Sequence, residues 1–276
     1  MRYLVGLIGS GIAASGSPAI HEREARQLGL QLHYQLIDLA TNGRSPGQLA
    51  ELLTAAEKLG FAGVNITHPC KQAVIPFLHE LSAHAQAIGA VNTVVFRAGR
   101  RIGHNTDWLG FRDSIRIGLP AARLASVLLL GAGGAGSAIC YAALQLGVQR
   151  LFVFDQEPDR AAKLAAQCND PRVIPTTDPF ASLQRVDGLI HATPVGMTGH
   201  PGMAIPEEWL RPDLWVADAV YFPLETELLR TARRLGCPTL HGGGMAVLQA
   251  AEAFRLFTGV APDRERMLAA GTATPE

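Results

Sequence analysis

A net charge is absent from this chain of 276 residues, and its absence argues against several functions. Lysine and arginine together number 24, aspartate and glutamate also number 24, and the formal net charge at pH 7 is zero. Proteins that bind nucleic acids or membrane surfaces usually carry a basic excess. We therefore expect no nucleic-acid partner and no membrane partner.

Cysteine is scarce, and long hydrophobic runs are missing. Cys70, Cys140, Cys168 and Cys237 form no C-x-x-C pair and have no histidine at metal-ligand spacing. They are typical of reduced thiols in a cytoplasmic protein, and no metal site is predicted. The apolar run at residues 3–8 is too short for a signal peptide or a membrane span, and it predicts a buried strand.

Short apolar runs alternating with helical patterns make up most of the chain. The length favours two domains, and the alternation predicts an α/β fold with mostly parallel sheets. In the first series we predict strands at 3–8, 32–39 and 61–66, helices at 18–28 and 47–59, and an edge hairpin at 91–96 and 101–104. In the second we predict strands at 127–130, 151–154, 188–191, 215–219 and 238–240, and helices at 135–146, 159–166, 225–235 and 245–257.

A glycine-rich turn joins the first strand and the first helix of the second series. Gly131, Gly133 and Gly136 match G-x-G-x-x-G, which allows a tight turn, close approach of a pyrophosphate and close helix–strand packing. Gly134 and Ala135 lie at the helix N-terminus, whose free N–H groups suit a pyrophosphate. A turn without a ligand is the alternative, and the flanking strand and helix favour the dinucleotide.

The acid that closes the next strand determines which dinucleotide we expect. Asp155 stands at the distance of about 20 residues where a carboxylate accepts hydrogen bonds from ribose hydroxyls. It would repel a ribose phosphate of roughly two negative charges. The predicted cofactor is therefore NAD, with NADP less favoured. Arg160 lies nearby and would weaken that preference.

Four polar motifs lie in the first series, each at the end of a strand or the start of a helix. In the first, Ser15 and Ser17 precede Pro18, which suits a first helical position. Two hydroxyls at a helix N-terminus would bind a carboxylate, although capping by Ser17 is the plainer alternative. The second motif contains a lysine that is a candidate acid–base group. The third motif contains Asn92 and the fourth contains Asp107, and turn or capping chemistry is the alternative for both residues.

The second motif, N-I-T-H-P-C-K, brings a lysine close to two polar strand residues. Asn65 and Thr67 share one face of the ending strand, because side chains alternate with a period of two. Lys71 falls in the first turn of the next helix, where it is a candidate acid–base group that Asp107 would orient. A solvated surface lysine is the alternative.

Taken together, these motifs resemble the shikimate dehydrogenase family over nearly the whole chain. The matching motifs are S-x-S-P at 15–18, N-[IV]-T-x-P-x-K at 65–71, G-A-V-N-T at 89–93, N-T-D at 105–107, G-A-G-G-A at 131–135 and G-M-x-x-x-Q-A at 244–250. The chain is similar in particular to the NAD-dependent quinate/shikimate dehydrogenase branch. The NADP-using members carry N-R-T where this chain has D-Q-E at 155–157.

The resemblance implies a reaction and a division of labour between two domains. The reaction is reversible, NAD-dependent oxidation of shikimate at the C3 hydroxyl, with quinate as a second candidate substrate, within cytoplasmic aromatic amino-acid biosynthesis by the chorismate pathway. Residues 1–107 and 243–276, with C-terminal helices that fold back, would bind substrate, and residues 108–242 would form a Rossmann domain. The expected partner is a small carboxylate of the shikimate or quinate type, and the chain would be a monomer or a homodimer.

The resemblance also implies roles for individual residues. Lys71 would be the proton donor and acceptor, with Asp107 as its partner. The substrate would be held by Ser15, Ser17, Asn65, Thr67, Asn92, Tyr221 and Gln249. The cofactor would be held by Gly131, Gly133, Gly134, Ala135, Gly136, Asp155, Arg160, Thr193, Pro194, Met197 and Gly242.

Other functions stay open. An aminoshikimate-type dehydrogenase is one of them. A methylenetetrahydrofolate dehydrogenase-like enzyme also joins a catalytic lysine to a Rossmann domain, although the paired serines and N-T-D speak against it. A non-catalytic NAD-sensing module would not require Lys71 and Asp107 together. Ser17, which is Thr in some quinate-using relatives, leaves the use of quinate open, and the sequence is silent on a biosynthetic or catabolic role.

Overall fold

The computed structural model of the chain describes residues 1–41 and 45–271. Its strands are β1 (Arg2–Gly9), β2 (Gln31–Asp38), β3 (Gly63–Ile66), β4 (Glu80–Leu81), β5 (Thr93–Arg97), β6 (Arg100–His104), β7 (Ser126–Leu130), β8 (Arg150–Phe154), β9 (Val173–Pro175), β10 (Gly188–His191), β11 (Trp215–Asp218) and β12 (Thr239–Leu240). Its α-helices are α1 (Ser17–Gln27), α2 (Leu49–Lys58), α3 (Cys70–Ala73), α4 (Ala83–Ile88), α5 (Asp107–Gly118), α6 (Gly134–Leu146), α7 (Pro158–Cys168), α8 (Pro179–Leu183), α9 (Glu227–Arg234), α10 (Gly243–Thr258) and α11 (Arg264–Gly271). The predicted α/β class is confirmed.

The chain divides into two compact units. Unit 1 comprises Met1–Thr106 and Val247–Glu276, and unit 2 comprises Asp107–Ala246. The predicted domain limits are 107/108 and 242/243, and the assignment of a substrate domain and a dinucleotide domain stays a prediction. Residues 42–44 and 272–276, which that prediction includes in the first domain, lie outside the described residues.

The sheet of unit 1 has the strand order β2-β1-β3-β5-β6-β4. β1 pairs in parallel with β2 and β3, while β5 is antiparallel to both β3 and β6. The predicted hairpin is confirmed, and it turns at Ala98 and Gly99, whose φ angles are 49° and 71°. Its expected place at the sheet edge is wrong, because the short strand β4 pairs with β6 and forms that edge.

Both faces of this sheet are buried, which explains the uninterrupted apolar run of β1. On one face Ile8 and Val64 pack in a cluster with Leu53 of α2. On the other face Leu7 packs in a cluster with Phe257 of α10. Strands buried on both sides are apolar throughout, since neither set of alternating side chains meets water.

The sheet of unit 2 is entirely parallel, with the order β12-β11-β10-β7-β8-β9. The chain leaves β7 toward β8 and β9, and then returns to the opposite side of β7 with β10. The strand order therefore reverses between β7 and β10. In parallel α/β sheets such a reversal opens a crevice at the carboxyl ends of the strands, where ligands bind.

The cysteines are all free thiols. Burial raises the pKa of the Cys70 thiol to about 11, so this group is a structural apolar residue rather than a nucleophile. In the described part of the chain, no helix has both the length and the apolar character that crossing a membrane requires.

Candidate functional site

Buried amide and hydroxyl groups of unit 1 meet where β3 ends and β5 begins. The Tyr34 hydroxyl donates to Asn65 Oδ1 at 2.8 Å. Asn65 Nδ2 donates to Thr93 Oγ1 at 3.0 Å and to the Asn92 carbonyl at 3.2 Å. Both amide hydrogens of Asn65 are thereby engaged, so its side chain can offer a ligand hydroxyl only the remaining acceptor capacity of Oδ1.

Asn92 extends this network to two further segments. Its Oδ1 accepts the Thr106 N–H at 2.7 Å, and its Nδ2 lies 2.9 Å from Thr106 Oγ1 and 3.2 Å from Gln249 Oε1. The structure thus brings together three of the predicted substrate residues, Asn65, Asn92 and Gln249. Thr106 is a further member, to which the sequence analysis gives no role although it lies in a motif.

Tyr34 is the member of this network that no motif indicates. It is 3% exposed on β2 and lies 31 residues before Asn65 in the chain. A tyrosine in an apolar strand is ordinary core composition, and a buried tyrosine hydroxyl needs a partner that only the sheet topology identifies.

The two predicted carboxylate-binding serines are adjacent at the start of α1. The Ser15 hydroxyl donates to Ser17 Oγ at 3.2 Å. The alternative of capping by Ser17 is wrong, because α1 already begins at Ser17 and its N-cap is Gly16, with no side-chain capping bond. The Ser17 hydroxyl is therefore not used in capping this helix, whereas Ser15 Oγ accepts the Ser17 N–H at 3.3 Å.

The loop before these serines is held by Asp38 at the end of β2. Its carboxylate accepts the Gly11 and Ile12 N–H groups, each at 2.9 Å, and the Ala40 N–H at 2.9 Å. Burial raises the pKa of Asp38, but these backbone donors outweigh burial and leave the pKa below its usual range. An ionised Asp38 therefore fixes the approach to Ser15.

Lys71 lies half-buried in α3, close in the fold to the Asn92 segment. The Lys71 carbonyl accepts the Val91 N–H at 2.8 Å, so the lysine backbone is tied to the residue preceding Asn92. Thr67 is half-buried directly after β3. Asp107 is the buried first residue of α5 and belongs to unit 2; its predicted partnership with Lys71 stays a prediction.

In unit 2, the glycine loop packs too closely for side chains at two positions. Gly131 has a φ of +101°, and a Cβ there would lie 2.7 Å from the Ala192 carbonyl oxygen. A Cβ on Gly136 would lie 2.0 Å from the Gly131 carbonyl oxygen. Gly133 differs, because a Cβ there would meet nothing within 4 Å. Open space therefore adjoins the start of α6.

The residues around this loop fit the dinucleotide that the sequence implies. Gly133 is the N-cap of α6 and supplies no side chain to its first N–H groups, which Gly134 and Ala135 begin. Asp155 Oδ2 accepts the Ala132 N–H at 2.8 Å, and Oδ1 accepts the Glu157 N–H at 3.0 Å. Each carboxylate oxygen retains acceptor capacity for ribose hydroxyls.

Arg160, which is predicted to weaken the preference for NAD, forms an ion pair with Glu157. Its Nε donates to Glu157 Oε2 at 3.0 Å and its Nη2 to Glu157 Oε1 at 2.7 Å. This bidentate pair on α7 is exposed.

The other predicted cofactor residues lie on the segments that follow β10 and β12. Thr193 is half-buried, and the Met197 N–H donates to the Pro194 carbonyl at 3.1 Å. Met197 is 40% exposed. Gly242 donates its N–H to the Val220 carbonyl at 3.2 Å.

Tyr221, the predicted substrate residue of unit 2, is 47% exposed. Its role toward substrate stays a prediction.

His191 and Asp218 end β10 and β11, and no sequence motif predicts a role for either residue. His191 Nδ1 lies 2.9 Å from Asp218 Oδ1. The only local signal is a polar residue closing each of two apolar strands. Among the described residues, no cluster of three or more histidine, cysteine, aspartate or glutamate side chains could hold a metal ion.

Comparison with protein families matches two segments of the chain. Residues 7–94 match the family model of the shikimate dehydrogenase substrate binding domain. Residues 242–270 match the model of the shikimate 5'-dehydrogenase C-terminal domain.

Individual proteins are similar over almost the full length. A shikimate dehydrogenase (NADP(+)) from Streptomyces avermitilis is 58% identical, covering 98% of this chain and 97% of its own. A quinate/shikimate dehydrogenase (NAD(+)) from Corynebacterium efficiens is 47% identical, covering 96% of both chains. The structure of quinate dehydrogenase from Corynebacterium glutamicum in complex with NAD superposes with a TM-score of 0.88, at 46% identity over 97% of this chain and 98% of that one.

Proposed function

The chain belongs to the shikimate dehydrogenase family, and on that premise we propose that it is a shikimate/quinate dehydrogenase. It catalyses reversible hydride transfer between a nicotinamide cofactor and the C3 hydroxyl of a shikimate-type ring. The observation that carries this proposal is the network of Asn65, Asn92 and Gln249 in unit 1. These side chains come from separate motifs and form one buried polar cluster suited to a polyhydroxylated ring.

The residues of unit 1 bind and orient the substrate. Ser17 offers its hydroxyl hydrogen to the substrate carboxylate, and Ser15, which donates to Ser17 Oγ in this structure, turns its hydroxyl to the same carboxylate when substrate binds. Asn65, with both of its amide hydrogens engaged, accepts a hydrogen bond from a ring hydroxyl. Thr67, Asn92 and Gln249 bind the other ring hydroxyls, and Tyr221 of unit 2 contacts the substrate. Holding the ring in one orientation removes much of the entropic cost of reaction.

Lys71 moves the proton. In oxidation its amine takes the proton of the C3 hydroxyl, and in reduction its ammonium returns a proton to the ring oxygen. Asp107 is the second member of this acid–base pair. The nicotinamide ring, when bound, supplies the hydride acceptor or donor, and the protein contributes orientation and electrostatics.

The cofactor is held by the loop from Gly131 to Gly136 and by Asp155, and we propose NAD as the preferred one. The relatives support both choices, since the Streptomyces protein is named for NADP(+) and the Corynebacterium protein for NAD(+). Two features favour NAD. The Asp155 carboxylate stands where a ribose phosphate would bring negative charge, and Arg160 is already paired with Glu157.

A substrate panel tests the function. Shikimate, quinate and an aminated analogue are each assayed with NAD and with NADP, following reduced nicotinamide. We expect turnover of shikimate with NAD, and the quinate arm measures how far the extra hydroxyl is accommodated. Turnover of the aminated analogue alone would show that this analogue, and not shikimate, is the substrate. Preference for NADP would overturn the cofactor proposal. If no combination of substrate and cofactor is turned over, the proposed enzymatic activity is rejected, and a non-catalytic NAD-sensing module is the remaining function.

A further inference from the structure

A buried histidine–aspartate pair lies at the carboxyl ends of two neighbouring strands of unit 2. His191 ends β10 and Asp218 ends β11, and the two residues are partners in register. They are 1% and 2% exposed. His191 Nδ1 lies 2.9 Å from Asp218 Oδ1, and its Nε2 lies 2.5 Å from Thr193 Oγ1. The ring is therefore held at both nitrogens.

The partners of Asp218 determine where the hydrogens of this chain of groups lie. Oδ1 also accepts the Val220 N–H at 2.9 Å, and Oδ2 accepts the Thr226 hydroxyl at 2.7 Å. An ionised carboxylate only accepts hydrogen bonds, so the hydrogen shared with His191 belongs to Nδ1. In the neutral ring Nε2 is then an acceptor, and the Thr193 hydroxyl must donate to it.

This arrangement gives the Thr193 hydroxyl a defined polarity. Its one hydrogen is committed to His191, and its oxygen accepts the Val195 N–H at 3.3 Å. Toward any ligand at this loop, Thr193 therefore presents acceptor capacity and no donor.

Thr193 also lies against the glycine loop at the reversal of strand order. His191 is the register partner of Leu130 on β7, the residue before Gly131. A Cβ on Gly131 would come within 3.1 Å of Thr193 Cγ2. The pair thus sits beneath the crevice in which parallel α/β sheets bind ligands.

We propose that His191 and Asp218 are positioning residues that hold the Thr193 hydroxyl as a hydrogen-bond acceptor for the carboxamide of the nicotinamide cofactor. The identity of this ligand rests on the proposed function. A carboxamide NH₂ supplies the N–H donors that such an acceptor requires. The ADP-ribose part of the cofactor is assigned to the glycine loop and Asp155, so it should not sense Thr193.

Calorimetric titration of the full chain with NAD and with ADP-ribose tests the proposal without turnover. Thr193→Val keeps the shape and removes the hydroxyl, and we expect it to raise the Kd for NAD about three- to tenfold, the value of one hydrogen bond. The Kd for ADP-ribose should not change. Thr193→Ser keeps the hydroxyl and should restore the affinity for NAD.

His191→Leu should weaken NAD binding by a similar factor, and adding Thr193→Val to it should cost nothing more, because both changes remove one interaction. Circular dichroism checks the fold of the histidine variant; if it does not fold, the Thr193 variants decide alone. Unchanged affinity for NAD in Thr193→Val, or equal weakening of NAD and ADP-ribose, would overturn the proposal.

The proposed function and this inference fail separately. If the unsubstituted protein binds NAD but turns over no substrate, only the proposed dehydrogenase activity is contradicted. The titrations with NAD and ADP-ribose then still decide the role of Thr193. An unsubstituted protein that binds neither NAD nor ADP-ribose contradicts both.

Discussion

Lys71 is the residue whose loss should reduce turnover most. Without its amine, proton exchange at the ring oxygen has no positioned acid–base group, so Lys71→Ala should lower kcat about 10²–10⁴-fold. Steady-state kinetics with shikimate and NAD measure this loss. Lys58→Ala, at the exposed end of α2, is the matched control and should leave kcat unchanged. Near-normal turnover in Lys71→Ala would reject the acid–base role.

The pairing of Glu157 with Arg160 should limit the use of NADP. Removing the carboxylate frees the guanidinium to meet a ribose phosphate, so Glu157→Gln should raise kcat/KM for NADP about two- to fivefold, the range of an exposed ion pair. The kcat/KM for NAD should stay nearly constant. Initial rates with both cofactors measure the ratio.

The double variant with Arg160→Ala serves as the control for this change. It should lose the gain with NADP, because no free guanidinium is left. A gain that persists in the double variant would show that Arg160 is not its source.

At the scale of elements, two glycines of the same loop are predicted to have different roles. Gly136 is required for close packing, and Gly133 leaves space for a ligand. Gly136→Ala forces a Cβ against the Gly131 carbonyl oxygen, so it should destabilise the fold by about 1–3 kcal/mol, as overpacking does. Gly133→Ala adds a methyl group to open space, so its stability should change by less than about 0.5 kcal/mol.

Binding should rank the two glycine variants differently. Gly133→Ala should weaken NAD binding while the protein stays stable, because its methyl group occupies the space that a pyrophosphate would use. Urea denaturation and calorimetric titration measure the two properties. A Gly133→Ala protein with unchanged affinity for NAD would exclude a pyrophosphate from this position.

Elements with strong local patterns were predictable, and short ones were not. β1 and β7 are apolar runs that end in turn residues, so both strands could be predicted. Their βαβ units follow from the alternation of apolar runs with helical patterns. β4 and β9 span only Glu80–Leu81 and Val173–Pro175, too few residues for a period to be visible. α5 was missed because its buried residues include Asp113 and Ser114, which blur an amphipathic pattern.

At the scale of the whole molecule, acid should destabilise the protein through His21. This side chain is 1% exposed, with its ring centroid 4.8 Å from that of Tyr34, and burial lowers its pKa from 6.5 to about 3. Between these values the unfolded chain binds the proton and the folded chain does not. The stability it contributes is therefore complete above pH 6.5, and it is lost at about 1.4 kcal/mol per pH unit as the pH falls toward 3.

His21→Phe removes this titration while keeping an aromatic ring. The free energy of unfolding, measured in urea at several pH values between about 7.5 and 4.5, should fall less steeply for the variant than for the unsubstituted protein. The depressed pKa of Asp38 also favours loss of stability in acid, and it acts equally in both proteins. Identical slopes would contradict the role of His21.

Local sequence patterns were sufficient to predict the α/β class, the glycine loop, the acid that follows it and the motifs of the polar cluster. Each of these features depends on residues that lie close together in the chain, because turns, helix starts and strand periods are set by neighbouring residues. Which polar groups come into contact follows from the three-dimensional fold instead. Tyr34 and Asn65 lie on β2 and β3, which flank β1, while His191 and Asp218 end neighbouring strands. Such neighbours depend on how crossovers order the strands to bury both faces of a sheet, which no local pattern encodes.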